Sequence, residues 1–264
     1  MIKETNVARI LVVANQKGGI GKSTSVANLA RALTERQYRV LIIDLDPQGG
    51  VSATVGVDSF NVKRSTYTLL MKDKVNLEKV MRRVGPNLAI VPASIDLAAA
   101  EVQLAKQSNQ VQRLRYALNH NALPFDYILI DTPPTLGILT ANGLVAAQEL
   151  LIPVQAQYLA MRGIRGLLQT VEQITKKLNP ELRLLGIFVT MFDARARHAQ
   201  EVLDELHTVF GAKVFQTVLP YDEVVAEAPI AHQSVLDYAP EHPVSQAYRQ
   251  LAQEIIQRGE TNNV

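Results

Sequence analysis

The chain has no cysteine and no tryptophan, and aromatic residues make up only 5% of its 264 positions. Without cysteine the protein can form neither a disulfide framework nor a thiolate metal site. With few aromatic side chains, the core must be built from Val, Leu and Ile. A chain of this length can bury a large core in one α/β domain. We therefore predict a single domain over residues 1–264, with flexible tails at residues 1–8 and about 259–264.

Strong charge and long apolar runs are also missing. The net charge is only +2, which argues against a strongly basic nucleic-acid-binding protein but allows a basic patch on one face. No segment approaches about 18 uninterrupted apolar residues, and the first residues lack a signal-peptide pattern. The last helical pattern has an ordinary apolar stripe rather than a basic membrane-binding face. We expect a cytoplasmic protein with no stable membrane anchor.

Short apolar runs alternate along the chain with longer amphipathic patterns. This alternation predicts right-handed βαβ units, and hence an α/β fold in which a mainly parallel twisted sheet carries helices on both faces. The predicted strands are Arg9–Ala14, Arg39–Asp44, Leu88–Val91, Tyr127–Asp131, Glu149–Pro153, Leu184–Thr190 and Lys213–Val218. The predicted helices are Ser23–Arg36, Thr68–Met71, Leu77–Arg82, Ile95–Ala105, Gln110–Asn119, Ile138–Ala146, Gly163–Leu178, Ala196–Phe210 and Val244–Arg258.

Residues 17–24 read Lys-Gly-Gly-Ile-Gly-Lys-Ser-Thr and join a predicted strand to a predicted helix. This is the setting of a phosphate-binding loop, in which glycines let the backbone approach a polyphosphate and helix N–H groups face its oxygens. Lys22 would reach the β- and γ-phosphates, and the Ser23 hydroxyl would ligate Mg²⁺. A glycine-rich turn before a solvated lysine is the weaker alternative, because strand, loop, helix and Lys-Ser-Thr ending all agree. The predicted nucleotide-binding residues of the loop are Lys17, Gly18, Gly19, Ile20, Gly21, Lys22, Ser23 and Thr24.

The loop departs from the usual G-x-x-x-x-G-K-[ST] spacing. Gln16 stands where the first glycine is expected, and a second lysine, Lys17, follows it. Two ammonium groups on the same side of the same phosphates would repel each other, so the Lys17 side chain can point away from its own site. If two copies met face to face, each Lys17 could reach the other copy's nucleotide. A merely solvated Lys17 is the alternative.

Three carboxylates follow predicted parallel strands. Asp44 and Asp46 end the run Leu41–Ile43, and Asp131 ends the run Tyr127–Ile130. Because ligands bind beyond the carboxyl ends of such strands, we expect all three near the phosphates. One of Asp44 and Asp46 would help to organise the Mg²⁺ shell or Lys22, and the other would orient an attacking water. Asp131 would hold Mg²⁺ directly or through water; a solvated pair at the strand end is the alternative for Asp44 and Asp46.

The loop K-G-G-x-G-K-[ST], the segment D-x-D-P-Q-G at residues 44–49 and D-T-P-P at residues 131–134 resemble the ParA/MinD group of P-loop ATPases, which carry this deviant Walker A loop. The resemblance implies ATP and Mg²⁺ as cofactors. It also implies a homodimer formed on ATP binding, in which Lys17 contacts the partner's phosphates. Its implied catalytic residues are Lys17, Lys22 and the water-positioning Asp46. Its implied metal residues are Ser23, Asp44 and Asp131, the last two through water.

The resemblance extends over nearly the whole chain, with departures. The segment T-M-F-D-A-R at 190–195 and the segment from Pro220 imply that Met191 and Pro220 lie near the base. Gln157 replaces the family's Glu, and Tyr221-Asp222 replaces its usual Arg-Asn. Nitrogenase-type iron proteins share the loop but need cysteines for an iron–sulfur cluster, and this chain has none.

The partition branch of this group implies a dimer that binds double-stranded DNA without sequence preference and associates with the nucleoid when ATP is bound. A ParB-like partner would stimulate its slow hydrolysis. The candidate DNA-binding residues are Arg162, Arg165, Arg195, Arg197 and Lys213. The alternatives are a nucleotide switch that recruits a protein or a membrane without touching DNA and, more weakly, a metabolic P-loop enzyme.

Overall fold

The computed structural model describes residues 8–121, 124–157 and 160–261. The strands found in these ranges are β1 (Arg9–Val13), β2 (Val40–Asp44), β3 (Arg82–Gly85), β4 (Leu88–Val91), β5 (Tyr127–Asp131), β6 (Glu149–Gln155), β7 (Arg183–Phe192) and β8 (Val214–Pro220). Within the described residues they form one eight-stranded sheet in the order β3-β4-β2-β5-β1-β6-β7-β8. Every neighbouring pair is parallel except β3 with β4.

Helices cover both faces of this sheet, as the alternation of patterns predicts. The α-helices in the described part of the chain are α1 (Lys22–Glu35), α2 (Gly50–Thr54), α3 (Thr66–Met71), α4 (Leu97–Leu104), α5 (Arg113–Asn119), α6 (Ile138–Ala146), α7 (Ala160–Lys177), α8 (Arg197–Phe210), α9 (Val224–Ile230), α10 (Val235–Tyr238) and α11 (Pro243–Thr261). None of these helices is long and apolar enough to cross a membrane.

The core consists of two layers, one on each face of the sheet. In β1, Leu11 and Val13 face α1 and α11, whereas Val12 faces the helices from α3 to α8. Successive side chains of a strand point to opposite faces, and here both faces are buried, so the central strands are apolar throughout. A fully buried aliphatic side chain contributes about 1.5–3 kcal/mol relative to its exposed state. The predicted α/β fold with a mainly parallel sheet is confirmed.

Several predicted elements are wrong or incomplete. The helix predicted at Leu77–Arg82 is only a short 3₁₀ turn, Leu77–Lys79, and Arg82 begins the edge strand β3. The spacing of Leu77, Val80 and Met81 imitates a helix, while the backbone of β3 is held by antiparallel pairing with β4. The short helices α2, α9 and α10 were also not predicted.

The predicted tails are shorter than expected at the positions that the structure describes. Ala8 is buried, and α11 continues to Thr261. Gly259 lies against the guanidinium group of Arg9, where a Cβ atom would be 2.1 Å from Nη1. Residue 259 is therefore a packing position within α11 rather than the start of a tail. Residues 1–7 and 262–264, the remainder of both predicted tails, lie outside the described residues.

The strand order brings the ends of β1, β2 and β5 together. Val13 and Asp44 both align with Asp131, which lies on the strand between them. The strands β2 to β5 all lie on one side of β1. The later strands β6 to β8 lie on its other side. Such a reversal of strand order opens a crevice at the carboxyl edge of a parallel sheet. The predicted loop and all three predicted carboxylates lie at this edge.

The opposite, amino edge is closed by an ion-pair network. The buried carboxylate of Glu149 on β6 accepts hydrogen bonds from Arg9 on β1 at 2.6 Å and from Arg183 on β7 at 2.7 Å. A carboxylate with this little exposure would be strongly destabilising without its partners. The network joins three adjacent strands at their starts, which leaves their far ends available for a binding site.

Candidate functional site

The loop between β1 and α1 has a backbone that depends on glycine. Gly19 and Gly21 have φ angles of 68° and 80°, in the left-handed region that favours glycine. A Cβ atom on Gly19 would meet nothing within 4 Å, so conformation rather than space requires glycine there. Gly21 precedes the first residue of α1 and has no side chain with which to cap the helix. The first-turn N–H groups of α1 can therefore serve an anion.

Side-chain hydrogen bonds hold this loop in place from two neighbouring strands. Asn15 donates its amide to the carbonyl oxygen of Pro153 on β6 at 2.8 Å, and its Oδ1 accepts from the N–H of Lys17 at 3.2 Å. Thr190 on β7 donates its hydroxyl to the carbonyl oxygen of Ile20 at 2.9 Å. The loop is therefore preorganised, and little conformational entropy remains to be lost when a ligand binds.

Lys22 lies inside the loop. Its ammonium group is buried and donates a hydrogen bond to the carbonyl oxygen of Lys17 at 3.0 Å. Burial lowers the pKa of Lys22, and the charges of Asp131 and then Asp46 oppose that shift. The side chain is thus placed between two carboxylates and the backbone of the loop. A phosphate oxygen could replace the Lys17 carbonyl as acceptor with a gain in charge complementarity.

Asp131 is the most unusual carboxylate of the site. It is fully buried, and neither of its oxygens accepts a hydrogen bond of ordinary geometry among the described residues. Burial, followed by the charge of Asp44, raises its pKa well above the usual range, against the opposing effects of the nearby Ser23 hydroxyl and Lys22 ammonium. A buried carboxylate without a partner is costly unless a cation or a proton completes it.

These residues fit a magnesium ion. Ser23 and Asp131 offer a hydroxyl and a carboxylate, the oxygen ligands that Mg²⁺ prefers. The described part of the chain contains no group of three or more His, Asp or Glu side chains that could hold a metal ion unaided. Magnesium bound by few protein ligands keeps waters and takes substrate phosphate oxygens. Ser23 and Asp131 would therefore hold Mg²⁺ next to the triphosphate, where the ion neutralises phosphate charge.

Asp44 is already engaged by the protein. Its Oδ1 accepts the N–H of Asp46 at 3.0 Å, and its Oδ2 accepts the N–H and the hydroxyl of Ser52 at 3.1 and 2.6 Å. Burial raises the pKa of Asp44 to about 7, although these hydrogen bonds act in the opposite direction. The contacts favour its predicted loop-fixing role, and a role in the magnesium shell stays a prediction. Sequence reasoning missed Ser52, a small polar residue with no motif around it.

Asp46 follows in a tight turn that its own side chain stabilises. Its Oδ1 accepts the N–H of Gln48 at 2.9 Å, and its backbone carbonyl accepts the N–H of Gly49 at the same distance. The residue is 8% exposed and therefore largely buried. Gly49 has a φ of 65°, and a Cβ atom there would lie 2.4 Å from the Ser59 hydroxyl. The turn therefore fixes a largely buried carboxylate whose charge acts on Lys22.

The Lys17 ammonium group bonds outside the loop, whereas that of Lys22 bonds to the loop backbone. Its exposed ammonium group donates to the amide oxygen of Gln155 at 3.4 Å and to that of Gln157. Both acceptors come from the end of β6 and the residues after it. This arrangement agrees with the expectation that the Lys17 side chain points away from its own site. Its two acceptors are neutral, since glutamine stands at 157 where the resembling family has glutamate.

A cavity of about 360 Å³ adjoins the end of the loop at Gly21 and Thr24. Met191 and Pro220, both predicted from the resemblance to lie near the base, line it. Met191 has a φ of 51°, an uncommon conformation for a side chain of this size. A larger groove of about 700 Å³ lies at the other end of α1, around Arg31 and Asp237. Because the larger groove is remote from the loop and its carboxylates, the smaller cavity is the better candidate for a nucleoside.

The five candidate DNA-binding residues divide into two groups. Arg162 and Arg165 are exposed at the start of α7, and Arg195 and Arg197 follow the end of β7. These four arginines lie at the carboxyl edge of the sheet. Lys213 lies just before β8, at the amino edge, and donates to the carbonyl oxygen of Leu184 at 3.0 Å. The structure therefore does not bring Lys213 together with the arginines.

The two later arginines are paired with carboxylates. Arg195 lies 3.0 Å from Asp193, and Arg197 lies 2.9 Å from Glu201. Both guanidinium groups are almost fully exposed, so the pairs are weak and the arginines can exchange their partners.

Comparison with known proteins identifies the family. A family model described as an AAA domain matches residues 8–184. The chromosome-partitioning ATPase Soj of Thermus thermophilus is 43% identical over 250 residues, which cover 95% of this chain and 96% of Soj. The chromosome partitioning protein ParA of Myxococcus xanthus is 38% identical, covering 96% of this chain and 89% of ParA. The chain belongs to the ParA/Soj family of P-loop ATPases. It hydrolyses ATP, and its cofactors are ATP and Mg²⁺.

Two further similarities concern the fold of this ParA/Soj protein. A solved structure of cobyrinic acid a,c-diamide synthase from Mycobacterium smegmatis with bound ADP and magnesium has a TM-score of 0.85 and 34% identity, and the alignment covers 97% of each chain. A model of 4Fe-4S iron sulfur cluster binding proteins of the NifH/frxC family matches residues 136–263. Since this chain has no cysteine, it lacks the thiolates that such a cluster needs.

We predict that Asp46→Ala binds ATP and forms dimers but hydrolyses ATP at least about 100-fold more slowly, because a positioned carboxylate typically contributes 10²–10⁴-fold to proton transfer and water activation. Phosphate release under single-turnover conditions with Mg²⁺ measures the hydrolysis, and a fluorescent ATP analogue measures the binding. Asp204→Ala, which removes an exposed carboxylate on α8, is the matched control. Hydrolysis by Asp46→Ala at the normal rate would mean that another residue positions the water.

Proposed function

We propose that this protein is an ATPase that dimerises on ATP, binds double-stranded DNA without sequence preference, and positions or segregates DNA or other cargo with a ParB-like activating partner. The names of the ParA and Soj relatives support a role in partitioning. The observation that carries the proposal is the position of Lys17, whose exposed ammonium group bonds to Gln155 at the end of β6, whereas that of Lys22 bonds to the loop backbone.

The separate partners of the two lysines support the proposed dimer. Lys22 occupies the inside of the loop, so a second ammonium group there would add repulsion as well as attraction. Lys17 instead rests on the neutral side chains of Gln155 and Gln157, which hold it weakly. A second subunit that faces the carboxyl edge would present its triphosphate to this ammonium group. The charge donated across the interface would act as an arginine finger does, so hydrolysis by a monomer is expected to be slow.

We predict that Lys17→Ala weakens the ATP-dependent dimer by about 30-fold or more, because removing one partner of a buried charge pair costs about 2–5 kcal/mol. Nucleotide binding by the monomer should be retained, since Lys22 and the loop backbone remain. Sedimentation velocity with Mg²⁺ and a slowly hydrolysed ATP analogue measures the dimer. Lys213→Ala, which removes an exposed lysine at the amino edge, should leave the dimer intact. An unchanged dimer in Lys17→Ala would remove the proposed contact across the interface.

The DNA-binding surface is proposed at the four arginines of the carboxyl edge. Arg162 and Arg165 begin α7 next to the loop, and Gln16 of the loop donates to the carbonyl oxygen of Gly163 between them. This contact joins the loop to the backbone between the two arginines, so a nucleotide in the loop would lie close to the proposed surface. Binding of this kind relies on neutralised phosphates, so it should weaken steeply as the salt concentration rises.

We predict that replacing Arg162 and Arg165 by Ala reduces ATP-dependent binding to unrelated duplexes and lowers the slope of log affinity against log salt by about 0.9 for each lost phosphate contact. Replacing Arg195 and Arg197 should act in the same direction. Filter binding over a series of salt concentrations, with and without ATP, measures both quantities. Lys213→Ala, at the opposite edge, is the matched control. Equal losses in Lys213→Ala and in the arginine variants would contradict the assignment of this surface.

A nucleotide switch that recruits another protein or a membrane without binding DNA is the second candidate. Two observations favour it: the ion pairs of Arg195 and Arg197, and the presence of Tyr221 and Asp222 where the family usually has Arg-Asn. The same filter-binding experiment separates the two candidates. Duplex binding that needs ATP supports the first, and no binding at low salt supports the switch.

A further inference from the structure

Tyr221 is an aromatic residue that lines the cavity beside the phosphate-binding loop. The residue is 65% exposed, although its N–H donates to the carbonyl oxygen of Phe192 at 3.1 Å and so fixes the backbone to the end of β7. An anchored backbone therefore carries a ring that is largely exposed to solvent.

The cavity that Tyr221 helps to line suits a flat, largely apolar group. Its volume of about 360 Å³ falls within the range of small-ligand sites. Apolar side chains, among them Met191, Pro220 and Val225, contribute much of the lining. The cavity opens next to Gly21 and Thr24, so a nucleotide whose phosphates occupy the loop has its base directed toward it.

Two other polar side chains of this cavity, Asp222 and Tyr248, already have partners. Asp222 accepts the N–H of Val224 at 3.0 Å and lies 3.7 Å from the ring of His242, so it stabilises the turn that carries Tyr221. Tyr248 is buried, with its hydroxyl 3.4 Å from the Ser25 hydroxyl. Neither of these two side chains offers an exposed aromatic face as Tyr221 does.

We propose that Tyr221 stacks on the nucleobase of the bound nucleotide and supplies affinity that is separate from the phosphate contacts. The inference rests on the proposed phosphate site at residues 17–24. Stacking between a base and an aromatic side chain is tolerant of base identity, because every base presents a π face. Tyr221 therefore contributes to nucleoside binding without by itself selecting adenine over guanine.

The test compares ATP with inorganic tripolyphosphate, which has the phosphates but no base. Isothermal titration calorimetry with Mg²⁺ measures both ligands on the full-length wild type and on Tyr221→Ala and Tyr221→Phe. We expect Tyr221→Ala to lose at least about fivefold in ATP affinity, from the size of base–aromatic stacking. Its tripolyphosphate affinity should not change, and Tyr221→Phe should behave as the wild type does. Tyr116→Ala, a partly exposed tyrosine on α5 outside this cavity, should bind both ligands normally.

Three results would overturn the stacking proposal while leaving the phosphate site intact. They are unchanged ATP affinity in Tyr221→Ala, an equal loss in Tyr221→Phe, and equally tight binding of ATP and tripolyphosphate by the wild type. An equal loss of tripolyphosphate and ATP affinity in Tyr221→Ala would also overturn it, since the substitution would then act through the loop. If the wild type binds neither ligand, the phosphate site itself is wrong and the stacking proposal fails with it.

Discussion

Buried negative charge at the ends of two adjacent strands is the constraint on which this site depends. Asp44 and Asp131 are aligned on β2 and β5, both are fully buried, and burial raises the pKa of each. The fold stabilises Asp44 with hydrogen bonds from Ser52 and from the backbone of Asp46, but it leaves both oxygens of Asp131 without such partners in the described structure. The buried charge of Asp131 is therefore balanced only when a cation or a proton binds its carboxylate. The surrounding residues fit a magnesium ion that is bound together with a nucleotide.

The two lysines of the loop differ in their electrostatic surroundings. Lys22 is drawn into the site by the charges of Asp131 and Asp46, and this attraction offsets part of the cost of burying its ammonium group. Lys17 lies outside, supported by neutral amide oxygens and accessible to solvent. One short loop thus presents one positive charge to its own ligand and a second to whatever approaches the carboxyl edge. ATP binding and subunit association are linked in this account because the approaching charge meets the bound phosphates.

Residues of the candidate site could be predicted from the sequence where a local motif lies at the end of a parallel strand. A glycine-rich loop between an apolar strand and a helix, and carboxylates after buried strands, predicted the site because parallel strands end at one edge. Strand β3 was missed because Arg82 and Arg83 are exposed and its stability comes from pairing with β4, which a local pattern does not reveal. Ser52 was missed because its partner Asp44 is brought to it only by the tight turn at Gly49. Lys213 was grouped with the arginines on charge alone, and the direction of β8 places it at the opposite edge.

The central claim is that Mg²⁺ bound with ATP balances the buried charge of Asp131. Its most direct test is a crystal structure of the protein with Mg²⁺ and a slowly hydrolysed ATP analogue. The account predicts that the ion binds the Ser23 hydroxyl and reaches Asp131 directly or through one water. It also predicts that the Lys22 ammonium group leaves the Lys17 carbonyl oxygen for phosphate oxygens. A structure in which Lys22 keeps its bond to that carbonyl, Asp131 has no contact with the ion or its waters, and the nucleotide occupies the groove near Arg31 would contradict it.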